Sequence, residues 1–237
     1  MVGTIKWTEE KIEAMRAEGY GFGTGADYLP WLHRLSFSSH GRCRSTGVSP
    51  KTGRVHELFS DAEYDFFLCL ERDRSVTDIR EQFPLDRDVT QDVARSLGIA
   101  HPMYPRTNTP TVMTVDFMVT KLVNRERQLM AFNVKPASEI EDARSVAKLE
   151  IQRAALWEMK IPHKLVLDTM MSRELISKLE WIRRPCMSKS ESVPYPDYWN
   201  EWNPYSRRHF LSLLQAFRSP NFASALIPIR GWPPGLD

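Results

Sequence analysis

The stretch that most constrains the fold lies at 112–135. It reads VMTVDFMVTKL, then a polar break at 124–127, then QLMAFNVK. Both runs are rich in β-branched and large apolar residues, and the break is short enough to join them as an antiparallel hairpin. Strand alternation sorts their side chains: Asp116 shares a face with Thr114 and Met118, and Asn133 shares one with Ala131 and Lys135. A carboxylate in the middle of an apolar strand is costly unless something nearby needs its charge.

The flanking segments extend the pattern. Ser138 and Glu141 have the spacing of a capping box and predict a long helix to about Lys160, after which KLVLD predicts a strand ending at Asp168. Upstream, Ser60 and Glu63 form a second capping box, opening a helix to about Arg72, and SVTDIREQFPL predicts a short strand leaving through Pro84. The polar DRDVTQDVARSLGIAHP that follows carries no clear element. Helix, hairpin, helix and strand in this order form an α/β arrangement.

Nearer the N-terminus, Thr8 caps a polar helix with a thin stripe of Ile12 and Met15, stopped at Gly19. Glycines at 19, 21, 23 and 25 invite a phosphate-loop reading, but no strand precedes them and no helix clearly follows, which favours a flexible approach loop. His40, Cys43 and His56 make at most a partial metal site, with no second close ligand pair. Three widely spaced cysteines imply no disulfide framework.

With 42% hydrophobic and 26% charged residues the composition excludes a disordered chain, a collagen-like repeat and a coiled-coil rod. No run approaches 18 uncharged apolar residues, and acidic residues stand early in the sequence, so the expectation is a cytoplasmic protein with no membrane partner. Charge is uneven: +3 over 1–54, −4 over 55–169 and +3 over 170–237. An acidic middle between basic ends fits carboxylates gathered for a metal with flanks that meet phosphate, though ordinary solvated faces give the same counts.

Metal-assisted phosphodiester hydrolysis needs oxygen ligands for Mg²⁺ and a cation near the phosphate. Asp116 on one strand, with Asn133 or the Val134 carbonyl and then Lys135 on the next, supplies that set. The spacing resembles the PD-(D/E)xK nuclease core, but satisfied strand-edge charges would look the same. By itself the capping box accounts for Glu63 without chemistry. Glu150, on the helix after the lysine strand, either faces the same centre or pairs along its own helix with Lys148 or Arg153.

KTGRVHELFSDAEYDFFLCLE, SVTDIREQFPL, TVDFMV and NVKPA, in this order and preceded by GADYLPWL, resemble the TnsA family, the endonuclease subunit of heteromeric cut-and-paste transposases. The resemblance covers about 15–168. It implies a restriction-endonuclease-like (PD-(D/E)xK) α/β core, a mixed sheet flanked by helices, with a small C-terminal helical region. It also implies Mg²⁺-dependent cleavage of the 5′ ends of a transposon, with Mn²⁺ able to substitute. The implied partners are transposon-end DNA, a TnsB-type transposase and a TnsC-type ATPase, in a bacterial cytoplasm. Carried over, Glu63 and Asp116 match the metal carboxylates and Lys135 the catalytic lysine. At Asn133 the family pattern has glutamine; a neutral amide brings no carboxylate, which points to the Val134 carbonyl.

On this reading 1–54 is an N-terminal helix and approach loop belonging with the nuclease domain, 55–169 the endonuclease core, and 170–237 a C-terminal helical region and docking tail. SRELISKLEWIRR and SRRHFLSLLQAF have helical apolar spacing, and the aromatic link between them, with Trp199, Trp202 and Tyr205 before Arg207 and Arg208, suits a docking arm for DNA or a partner. The competing readings are a non-catalytic adaptor between transposase and regulator, which intact Glu63, Asp116 and Lys135 argue against, and a free-standing restriction or repair nuclease.

Overall fold

The computed structural model describes residues 7–33 and 43–183. His40, the aromatic link and the second C-terminal helix lie outside them.

The predicted hairpin forms, as β4 (Thr114–Val123) and β5 (Glu126–Lys135). They are joined at Asn124 and Arg125, whose φ values of 51° and 69° are those of a two-residue turn that matches strand twist. β3 (Val76–Pro84) pairs antiparallel with β4, and β6 (His163–Leu167) pairs parallel with β5, giving a mixed sheet in the order β3-β4-β5-β6. The parallel step requires a crossover, supplied by α4 (Ala143–Glu158). A separate two-stranded sheet pairs β1 (Arg44–Ser45) with β2 (Glu57–Leu58).

Helices cover both faces. On one side α2 (Asp61–Arg72) and α5 (Arg173–Arg183) bury Phe66, Phe67, Ile176 and Leu179 against Ile79, Phe117, Val119, Phe132 and Val134. On the other, Leu156 of α4 packs on Val115, Met118 and Ala131, while Ile151 and Ala155 meet Val93 and Ala94 of α3 (Arg87–Ser96). The N-terminal α1 (Glu9–Ala17) joins a smaller cluster, where Ile12 and Met15 are buried with Trp31 and Trp7 stacks on Tyr104 at 4.4 Å.

Both predicted N-caps upstream hold: Thr8 accepts from the Lys11 amide and Ser60 from the Glu63 amide. Two expectations change. The polar stretch after β3 contains α3, capped by Asp86, whose side chain accepts from the amides of Asp88 and Val89. The long helix does not start at Ser138: residues Ala137–Glu141 form a 3₁₀ turn, and Asp142 caps α4 by accepting from the Ser145 amide at 2.8 Å. No helix among the described residues is long and apolar enough to cross a membrane.

Candidate active site

The site forms where the central strands part. The β4–β5 ladder ends at Phe117 opposite Phe132, and beyond it β5 continues beside β6 alone. Into the opening comes the Asp116 carboxylate, whose Oδ2 accepts from the Val134 amide at 2.7 Å. In extended backbone the amide and carbonyl of one residue point to the same edge, so the Val134 carbonyl faces this opening too. Lys135 Nζ stands 3.6 Å from Asp116 Oδ2.

Glu63 arrives from the N-terminal turn of α2. Its carboxylate folds back, Oε2 accepting from the Phe59 amide at 3.0 Å and Oε1 from the Ser60 hydroxyl at 3.3 Å. The capping reading is therefore correct as local structure, and it also fixes the carboxylate near the strand opening. Burial, and then the Asp116 charge, push the Glu63 carboxyl up to about 8. The same two carboxylates, Asp116 foremost, raise the Lys135 ammonium against the opposing effect of burial. Two buried carboxylates repelling each other beside a held lysine form an oxygen-rich centre suited to a hard divalent cation. Among the described residues no group of three His, Cys, Asp or Glu could hold a metal, so backbone and water oxygens would have to complete the shell.

Asn133 is placed differently from Asp116. Its Oδ1 lies 2.7 Å from His163 Nε2, an interaction across β5 and β6 in which the histidine donates. His163 is 5% exposed, and burial, with the Arg153 charge, lowers its pKa to about 4, so the ring is neutral. Nothing in the local sequence indicated this partner. Glu150 takes the second of its two readings, with both oxygens on the Arg153 guanidinium at 2.6 and 2.8 Å.

His56, the remaining described histidine of the partial metal site, sits in a buried network instead. Its Nδ1 is 2.7 Å from Glu81 Oε2 and its Nε2 is 2.7 Å from Thr52 Oγ1. Arg54 grips both Glu81 oxygens and the Gly25 carbonyl. Burial would raise the Glu81 carboxyl, but the hydrogen bonds from Arg54 and His56 outweigh it and hold it at about 2. The glycine loop is thus pinned along the outer edge of β3, with the Gly25 amide on Asp78 Oδ1 at 3.1 Å.

A mixed sheet between helical layers, with an acidic pair and a lysine where its central strands separate, is a restriction-endonuclease-like core. Residues 73–168 match the TnsA-like endonuclease N-terminal domain, a span that includes Asp116, Asn133, Val134 and Lys135 and begins after Glu63. The chain is 39% identical over 176 residues to the transposon Tn7 transposition protein TnsA of Escherichia coli. That match covers 74% of this chain and 63% of the relative. Over these spans the chain is similar to the TnsA family, and residues 73–168 carry the TnsA-like endonuclease domain.

Proposed function

We propose that the protein is a Mg²⁺-dependent DNA endonuclease that cuts the 5′ ends of a transposon, with Mn²⁺ able to substitute. The observation that carries this reading is the grouping of Asp116, Lys135 and Glu63 at the strand opening. Glu63, Asp116 and the Val134 carbonyl would hold the cation. The Asn133 Oδ1 is engaged by His163 across β5 and β6. A divalent cation held there supplies charge stabilisation at phosphate oxygens and acidifies water.

The chain's own residues do the rest. Lys135 keeps its proton because two carboxylates face it, so it acts as a cation and hydrogen-bond donor toward the phosphate and the attacking water, not as a base. Asp116 is held by the Val134 amide, which orients its carboxylate before DNA enters. Water oxygen attacks phosphorus, the bond to the 3′ oxygen breaks, and the proton lost by water balances the one gained by the leaving oxygen.

A TnsB-type transposase would process the 3′ ends and a TnsC-type ATPase would couple cutting to target choice, with all three in the bacterial cytoplasm. Support comes from the similarity to the transposition protein of Escherichia coli. The test is cleavage of a donor plasmid carrying transposon ends, with and without the partner transposase. Strand breaks at the 5′ ends that require Mg²⁺ and this chain are expected. Equal breakage without the chain would overturn the reading.

A further inference from the structure

Gln82 stands in β3 with φ of 47°, a left-handed conformation that a non-glycine residue adopts at a cost. The register explains where the conformation acts. Glu81 pairs with Phe117 and Phe83 with Val115, so the residue skipped between them on β3 is Gln82 and the one on β4 is Asp116.

Both strands change faces at this point. Ile79 lies on the α2 side, whereas Phe83, four residues on, packs with Leu85 on the α4 side; strict alternation would keep Ile79 and Phe83 together. On β4, Val115 lies on the α4 side and Phe117, two residues on, on the α2 side. Asp116 therefore belongs to neither apolar face, and its carboxylate is directed along the sheet to the Val134 amide.

We propose that Gln82 is a positioning residue of the nucleolytic centre, acting through its left-handed backbone to exchange the faces of β3 and β4 and thereby aim the Asp116 carboxylate. Irregularities of this kind beside active sites re-aim side chains. The conformation is held from outside and inside. The Gln82 carbonyl accepts from the Trp31 amide at 3.3 Å, and its Oε1 from the Thr114 hydroxyl at 3.1 Å. A Cβ at Gly21 would collide with the Pro84 ring, so the glycine loop lies close against the end of the same strand.

The proposal rests on Asp116 being a working carboxylate, and its test separates the two ideas. Residue 82 is changed to Gly, Asn, Ala and Val, an order of falling tolerance for positive φ. Hydrogen exchange at the Val134 amide is read in the metal-free chain, and cleavage in the donor-plasmid assay. Gln82→Gly and Gln82→Asn should keep Val134 protection and cut within about threefold of the parent, since the aim of Asp116 is preserved. Gln82→Val should lose Val134 protection while the rest of the β4–β5 ladder stays protected, and cut about 100-fold more slowly, as expected for a misplaced group. Where valine unfolds the chain, alanine carries the comparison, with a smaller loss in the same direction. A glycine variant as impaired as the valine variant, or a folded valine variant with Val134 still protected, overturns the proposal. Parent-rate cutting by Asp116→Ala would remove Asp116 from the centre and overturn the catalytic role of its aim, whereas the Val134 amide measurement, which involves neither metal nor DNA, reports separately on whether Gln82 sets that aim.

Discussion

The carboxylate of Asp116 occupies the place of a backbone carbonyl opposite the Val134 amide, at 2.7 Å, just beyond the last paired residues of β4 and β5. One group thus closes the end of the ladder and presents its charge to Lys135. Structure and chemistry meet in one oxygen, Asp116 Oδ2.

Asp116→Ala should abolish 5′-end cleavage and leave 3′-end joining by the partner transposase active. The variant should fold, because two effects oppose each other. An unsatisfied Val134 amide costs about 1–3 kcal/mol, whereas loss of the neighbouring charge relieves Glu63. Chemical denaturation together with the donor-plasmid assay checks both halves. Cutting at the parent rate would remove Asp116 from the centre.

Glu63 predicts an unusual pH dependence for the metal-free chain. Its folded pKa, about 8, lies above the ordinary value of 4.5 expected in the unfolded chain, so between these values the native state holds a proton that the unfolded state has released. Stability contributed by this group is complete below pH 4.5 and is lost as pH rises through about 8. Urea midpoints from pH 5 to 9 should fall more steeply in the parent than in Glu63→Gln, and Mg²⁺ should flatten the parent's slope. Equal slopes in parent and variant would show that Glu63 is not held protonated.

Lys135→Ala should depress cleavage severely while leaving Mg²⁺ binding detectable by calorimetry, because a protonated lysine cannot be a ligand. Removing the cation that steadies Glu63 should also raise that carboxyl further. A vanished binding signal in a folded variant would mean that Lys135 organises the carboxylates and not the phosphate.

The hairpin, its turn and the residues Asp116 and Lys135 were legible because the signals are local: two apolar runs, a short polar break and charges at fixed positions. The capping box placed Glu63 at the start of α2, while its metal role came from the family resemblance alone. The α3 helix was missed because its buried face is only Thr90, Val93 and Ala94 within a polar stretch, although Asp86 as a cap and Gly98, with φ of 66°, as a stop were present. Alternation puts Asp116 with Thr114 and Met118, but Val115 and Met118 pack in the same cluster on the α4 side, so the pattern breaks between them; nothing about glutamine announces the left-handed Gln82 on the neighbouring strand. The Asn133–His163 pair joins residues 30 apart on neighbouring strands, a relationship that exists only once the sheet forms.

A buried ion pair braces α5 against α2. Arg183, at the end of α5, places Nε 2.7 Å from Glu71 Oε2 near the end of α2, with side chains 7% and 3% exposed. Its guanidinium also lies over the Phe67 ring, 5.5 Å from the centroid. Breaking one side of a buried pair leaves an uncompensated charge, so Arg183→Ala should lower stability by about 3 kcal/mol. The matched apolar double substitution, Glu71→Leu with Arg183→Leu, should recover most of that loss because neither charge is then stranded. Glu63 lies eight residues back along the same helix, about 12 Å at the helical rise, so its high carboxyl pKa should survive Arg183→Ala. Denaturation of the single and double variants, with the Glu63 carboxyl followed by NMR, separates the brace from the chemistry. A single variant as stable as the parent would mean that α5 is held on α2 by its apolar face alone.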